Sequence, residues 1–201
     1  MIELRHVALA GALLLAACNN QVITDKPLFT KVDAVGAPRI RAGIWNIASQ
    51  NCGFDEQKPQ NVWPKCANPF PPIPDPPPWL AVAGRPAIIQ SNAPKGLSEP
   101  STASAYLAFR AIKTNPARQA TKIQVWFVQC GPPPAADESG LTKHLVLGLM
   151  PRKDSNNYTA PTKAALRRAA HASQAWMGGP APIMHWVRDP IPGDLPPDNN
   201  P

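Results

Sequence analysis

Thr121-Lys122-Ile123-Gln124-Val125-Trp126-Phe127-Val128-Gln129-Cys130 is the stretch on which the fold turns. It is dense in β-branched and aromatic residues, as strands are. Apolar side chains fill both alternating sets: Ile123, Val125 and Phe127 on one, Trp126, Val128 and Cys130 on the other. Successive strand residues point to opposite faces. The run therefore predicts a central strand covered on both sides. Upstream, Tyr106 to Ile112 alternates Tyr106, Ala108, Arg110 and Ile112 against Leu107, Phe109 and Ala111. Asn115-Pro116 between the two runs is a turn dipeptide, so they predict a hairpin. Ala103 to Ile112 also tolerates helical spacing.

Further strands are expected over Arg39 to Ala48, bent at Gly43, over Pro86 to Gln90 and over Ile183 to Val187. One helix is predicted to start near Pro161, a residue suited to a first helical position. Leu166, Ala169, Ala170, Ser173, Trp176 and Met177 recur at helical spacing and form one face. Lys163, Arg167, His171 and Gln174 lie opposite, with Arg168 at the edge, and Gly178-Gly179 ends the helix. The expected fold class is α+β: a small antiparallel sheet packed with one C-terminal helix. A single domain over 39–188 is expected, followed by a disordered Pro/Asp/Asn tail over 189–201.

Proline is strongly enriched, with 27 in 201 residues against a usual share of about 5%. In Phe70 to Pro78, six of nine residues lack a backbone N–H. The Pro-rich segment 69–78 is expected to be a polyproline II spacer that covers the domain, with Trp79 and Leu80 pinning its end.

The N-terminus carries an address. Arg5 and His6 precede an apolar run, Val7 to Leu15, that is far shorter than the ~20 residues needed to span a bilayer. Together with the small residues that follow, this is the pattern of a secretory signal peptide, residues 1–17. Leu15-Ala16-Ala17-Cys18 resembles the lipobox of bacterial lipoproteins. The resemblance implies cleavage before Cys18, acylation of its sulfur, and a lipidated N-terminus and tether over 18–38. Asn19 stands where an aspartate retains enteric lipoproteins in the inner membrane, which favours the outer membrane. Pro27-Leu28-Phe29, Gly43-Ile44-Trp45, Trp63-Pro64-Lys65-Cys66-Ala67 and Val128-Gln129-Cys130-Gly131-Pro132 also resemble recurring landmarks of proteobacterial envelope lipoproteins. That likeness implies a setting and no activity.

The formal net charge is +7. Loss of residues 1–17 removes one acid, Glu3, and one base, Arg5, so the charge is unchanged. A basic envelope protein attracts lipid headgroups, lipopolysaccharide or wall polymers; export makes nucleic acid a poor partner. With Cys18 given to lipid, Cys52, Cys66 and Cys130 remain in an oxidising compartment. Cys52 and Cys66 share a turn-rich stretch, and a disulfide between them is expected. Cys130, ending an apolar run, reads as a buried small hydrophobe.

No Gly-x-Ser-x-Gly, Ser-x-x-Lys, His-Glu-x-x-His or phosphate-binding glycine loop occurs in the sequence. No catalytic residue, metal site or cofactor is expected. Arg167 and Arg168 on the helix, with Trp126 and Trp176, are candidate ligand or anion contacts. The leading expectation is a lipid-anchored, non-enzymatic envelope protein with a structural or accessory interaction role, whose partner is another envelope protein or an anionic envelope polymer. The alternative is a binding module for an anionic or apolar envelope ligand (lipid, lipopolysaccharide or wall fragment). The third is an enzyme with an unfamiliar Cys130–His185 site.

Overall fold

The computed structural model describes residues 21–47, 52–67, 69–93, 102–132, 145–152, 157–176 and 181–194. The signal peptide, Cys18, His144, Met177 to Gly179 and the tail beyond Asp194 lie outside the described residues. The fold is α+β, mainly an antiparallel sheet with one C-terminal helix. The strands are β1 (Ile23–Thr24), β2 (Arg39–Ile40), β3 (Ile44–Asn46), β4 (Leu80–Val82), β5 (Ala87–Asn92), β6 (Ser104–Thr114), β7 (Gln119–Phe127), β8 (Met150–Pro151), β9 (Tyr158–Thr159) and β10 (Ile183–Arg188). Helix α1 is Lys163–Ser173. The larger sheet runs β3-β10-β7-β6-β5-β4. In addition, β1 pairs with β6 and β2 pairs in parallel with β7. Strands β8 and β9 pair separately.

β6 and β7 form the predicted hairpin. Its loop is Pro116, Ala117 and Arg118, closed by the Asn115 N–H donating to the Gln119 carbonyl and the Arg118 N–H to the Asn115 carbonyl, both at 2.9 Å. Arg118 adopts φ 58°, the left-handed conformation that follows the type I turn in a three-residue hairpin loop. Within β6 the first buried residues, Ser104, Tyr106 and Ala108, repeat every second position, which is strand and not helix spacing. β7 lies between β6 and β10. Ile123 and Trp126, of opposite parity along it, are each 2% exposed. The strand is covered on both faces.

Contacts divide the chain into two compact units, each built from three separate stretches. The first comprises 1–28, 90–107 and 127–179; the second comprises 29–89, 108–126 and 180–201.

In the first unit the expected tether is partly sheet. Val22 and Ile23 are buried, Ile23 and Thr24 pair with Ala105 and Ser104, and the Thr24 and Tyr106 hydroxyls are 2.6 Å apart. Two adjacent β-branched apolar residues are enough to dock this segment, because burying each contributes roughly 1.5–3 kcal/mol. The Thr162 hydroxyl caps α1 by accepting the Ala165 N–H. Pro161 therefore precedes the cap instead of opening the helix. The buried face is Ala165, Leu166, Ala169, Ala170 and Ser173. The Ser173 hydroxyl accepts the Gln129 N–H at 2.7 Å and donates to the Ala169 carbonyl at 2.6 Å, which ties the helix to the chain following β7.

In the second unit Arg39 to Asn46 is two strands, not one bent strand. Gly43 turns between them with φ 124°. A Cβ there would lie 2.6 Å from the Arg188 carbonyl oxygen and 2.7 Å from Trp186 Nε1. The Pro-rich segment lies along this turn. Phe70, one of its few residues with an N–H, donates it to the Trp45 carbonyl, and Ile73 donates its own to the Gly43 carbonyl, both at 2.9 Å. The disulfide Cys52–Cys66 is formed. Cys52, Phe54 and Val187 pack against a small core of Ile44, Trp63 and Ala67. Residues 189–194, expected in the tail, belong to the fold: the Asp194 side chain is buried and pairs with Arg188 at 2.7 Å.

Candidate anion-binding groove

Strand pairing in the second unit collects residues far apart in sequence. β10 runs antiparallel to β7 and sets His185 opposite Lys122. It also runs antiparallel to β3 and sets Trp186 opposite Trp45. Each indole then holds the chain before Gly43. The Trp45 N–H donates to the Arg41 carbonyl and the Trp186 N–H to the Ala42 carbonyl, both at 2.9 Å. With its backbone held, Arg41 stacks its guanidinium over the Trp186 ring, 3.3 Å from the centroid. The Asp189 carboxylate approaches Arg41 at 3.4 Å but is largely exposed.

These residues line an open groove of about 590 Å³. Arg41, Lys113 and Lys122 bring three cations to it, His185 and Trp186 bring two aromatic rings, and Thr121 brings a hydroxyl. No carboxylate is among its lining residues. Burial, and secondarily the Lys122 ammonium, hold the His185 imidazole below its ordinary pKa. At neutral pH it is an uncharged ring that offers one donor and one acceptor. The groove can thus attract an anion and hydrogen-bond it through an imidazole and a hydroxyl.

The residues singled out by sequence lie elsewhere. Trp126 is 2% exposed, so it presents no surface to a ligand; the β7 face on which it lies turned inward. Trp176 is half-buried in the 3-10 turn after α1. Arg168 is exposed on α1 but donates to the Leu147 carbonyl through Nε at 3.2 Å and Nη2 at 3.0 Å. Arg167 is half-buried on the same helix. Cys130 is fully buried, which keeps substrates from its sulfur. Sequence reading missed Arg41, Lys113 and Lys122. The available signal was a lysine inside a largely buried strand and an arginine two residues before a glycine, which acquires meaning only through the strand register.

Among the described residues no group of three or more His, Cys, Asp or Glu could hold a metal ion. No described helix is long and apolar enough to cross a membrane. No protein-family model, curated protein or solved structure matches this chain.

Proposed function

We propose that this protein is a lipid-anchored, non-enzymatic component of the bacterial cell envelope that binds an anionic envelope ligand in the groove of its second unit. The observation that carries the binding role is the set of three cations around a stacked tryptophan, with no acid in the lining. The anchor and the outer-membrane address rest on Leu15-Ala16-Ala17-Cys18 and Asn19. A ligand with phosphate or carboxylate groups beside hydroxyls fits the chemistry, as in lipopolysaccharide cores and wall fragments. Charge draws it in over about 8–10 Å at physiological salt, and the Arg41 guanidinium, held on the Trp186 ring, orients it.

The test is a tryptophan-fluorescence titration of the detergent-solubilised protein with lipopolysaccharide, anionic phospholipid and muropeptides. A saturable, salt-sensitive change, weakened roughly tenfold by Lys113→Gln with Lys122→Gln (about 1.4 kcal/mol), is the expected result. A flat signal with all three ligands would overturn the binding role. A Cys18→Ala variant checks the anchor independently, by loss of the acyl mass and of membrane fractionation.

A further inference from the structure

Three large apolar side chains stand exposed within six residues of the first unit: Leu145 at 44%, Leu147 at 83% and Met150 at 48%. Single exposed apolar residues are ordinary, but these lie beside the point where the N-terminal chain enters the fold. Gln21 is pinned there. Its carbonyl accepts the Tyr158 N–H at 3.1 Å, and Gln21 is bridged antiparallel to Gln129. The residue after Gln129 is Cys130, whose carbonyl accepts the Val146 N–H at 2.8 Å. Leu145 and Leu147 flank that Val146. The β8–β9 pair closes the same neighbourhood, with Tyr158 opposite Pro151 and Thr159 opposite Met150.

We infer that this face, carrying Leu145, Leu147 and Met150, rests on the bilayer that holds the lipid on Cys18. The inference depends on the lipid-anchor reading proposed above and adds an orientation to it. Gln21 is the third residue after Cys18, and three extended residues reach at most about 11 Å. The polar layer of one leaflet is itself about 5–8 Å thick. Even fully extended, the anchor leaves Gln21 within about 3–6 Å of the headgroup surface, so the face around Gln21 is held against that surface.

The charges agree. The Arg168 guanidinium is fastened to the Leu147 carbonyl and lies against Gly148. Lys163 and Arg167 stand on the same helix. A guanidinium beside exposed leucines matches an anionic leaflet, in which apolar tips enter the interface and the guanidinium stays with phosphates. Arg168, which sequence reading marked for anions, is on this face and not in the groove.

The test uses the native lipoprotein reconstituted into vesicles of phosphatidylethanolamine and phosphatidylglycerol. A polarity-sensitive fluorophore is attached at Leu147→Cys and, in a second protein, at Asn92→Cys. Asn92 is exposed at the end of β5, which β6 separates from β1, so it serves as the reference. The expected result is a blue-shifted Leu147 label that headgroup-region nitroxide lipids quench several-fold more strongly than the Asn92 label. A Leu145→Cys label repeats the reading if the first variant fails to fold. Equal quenching at both sites in acylated, vesicle-bound protein would overturn the orientation and leave the anchor standing. A blue-shifted label that nitroxide lipids do not quench would make the occupant a protein surface, again overturning it. Absence of acyl mass and of flotation with vesicles would remove the anchor and the orientation together.

Discussion

The Arg41 guanidinium stacks 3.3 Å from the centre of the Trp186 ring, while the N–H of that same indole holds the Ala42 carbonyl at 2.9 Å. One tryptophan thus fixes the backbone next to Arg41 and carries its charge. This is why an arginine two residues before a glycine turn keeps a defined place in the groove. A desolvated cation–π contact contributes up to about 2 kcal/mol. Trp186→Leu removes both functions, and we expect it to weaken anion binding about tenfold. The check is ligand titration at fixed salt, with circular dichroism to verify the fold. Unchanged affinity in a folded variant would remove Arg41 and Trp186 from the site.

The His185 imidazole titrates below its ordinary 6.5 because of burial and the Lys122 charge opposite it. A bound anion offsets that charge and favours the protonated ring, so affinity should rise as pH falls below 6.5 toward 5. The stability of the unliganded protein should move the other way. In this window the unfolded chain binds the proton more readily, so stability declines as pH falls. His185→Gln should flatten both dependences, which pH-resolved titration and denaturation would reveal.

Arg188 and Asp194 form a two-pronged ion pair with contacts of 2.7 and 2.8 Å. Asp194 also accepts the Gln60 and Ile191 N–H groups. The Arg188 pair, opposed by burial and helped by these N–H groups, lowers the carboxyl from 3.8 to about 2. Its contribution is complete above 3.8 and is lost as pH falls toward 2. Asp194→Ala leaves a nearly buried guanidinium without its counter-charge and should cost about 3 kcal/mol, measured by urea denaturation at neutral pH.

Gly43→Ala should be severe for its size. The new methyl would lie 2.6 Å from the Arg188 carbonyl oxygen at a residue with φ 124°. A loss of about 2–4 kcal/mol is expected from the strained conformation together with overpacking. Trp186 fluorescence should change in parallel, because the indole N–H is displaced. An unperturbed spectrum with full stability would refute this account of the turn.

The Cys52–Cys66 bridge closes a loop with a sequence separation of 14. A loop of that length restricts the unfolded chain by about 3 kcal/mol. Reduction, or Cys52→Ser with Cys66→Ser, should lower stability by about that amount. The Ile44–Trp63–Ala67 core should loosen, and hydrogen exchange around Trp63 would report it.

Local patterns made much of this protein legible in its sequence. Alternating apolar residues over 106–112 and 121–130 determined the hairpin, since period-two burial admits little else. Spacing of three and four over Leu166 to Ser173 determined the helix and its inward face. A short cysteine spacing among turn residues determined the disulfide. These features rest on neighbours in the chain. The remainder depends on partners that no local pattern names. Gln21 to Thr24 reads as a tether until β6 supplies its hydrogen bonds. Asp194 reads as tail until Arg188 meets it. Trp126 reads as either a core anchor or a ligand contact until packing leaves it 2% exposed. Above all, the groove exists because β10 lies between β3 and β7. That register puts His185 across from Lys122 and Trp186 beneath Arg41, residues brought together by sheet pairing over more than sixty positions of intervening chain. Chemistry assembled through long-range hydrogen-bond register is a property of the tertiary structure, because only closure of the sheet selects which strands become neighbours.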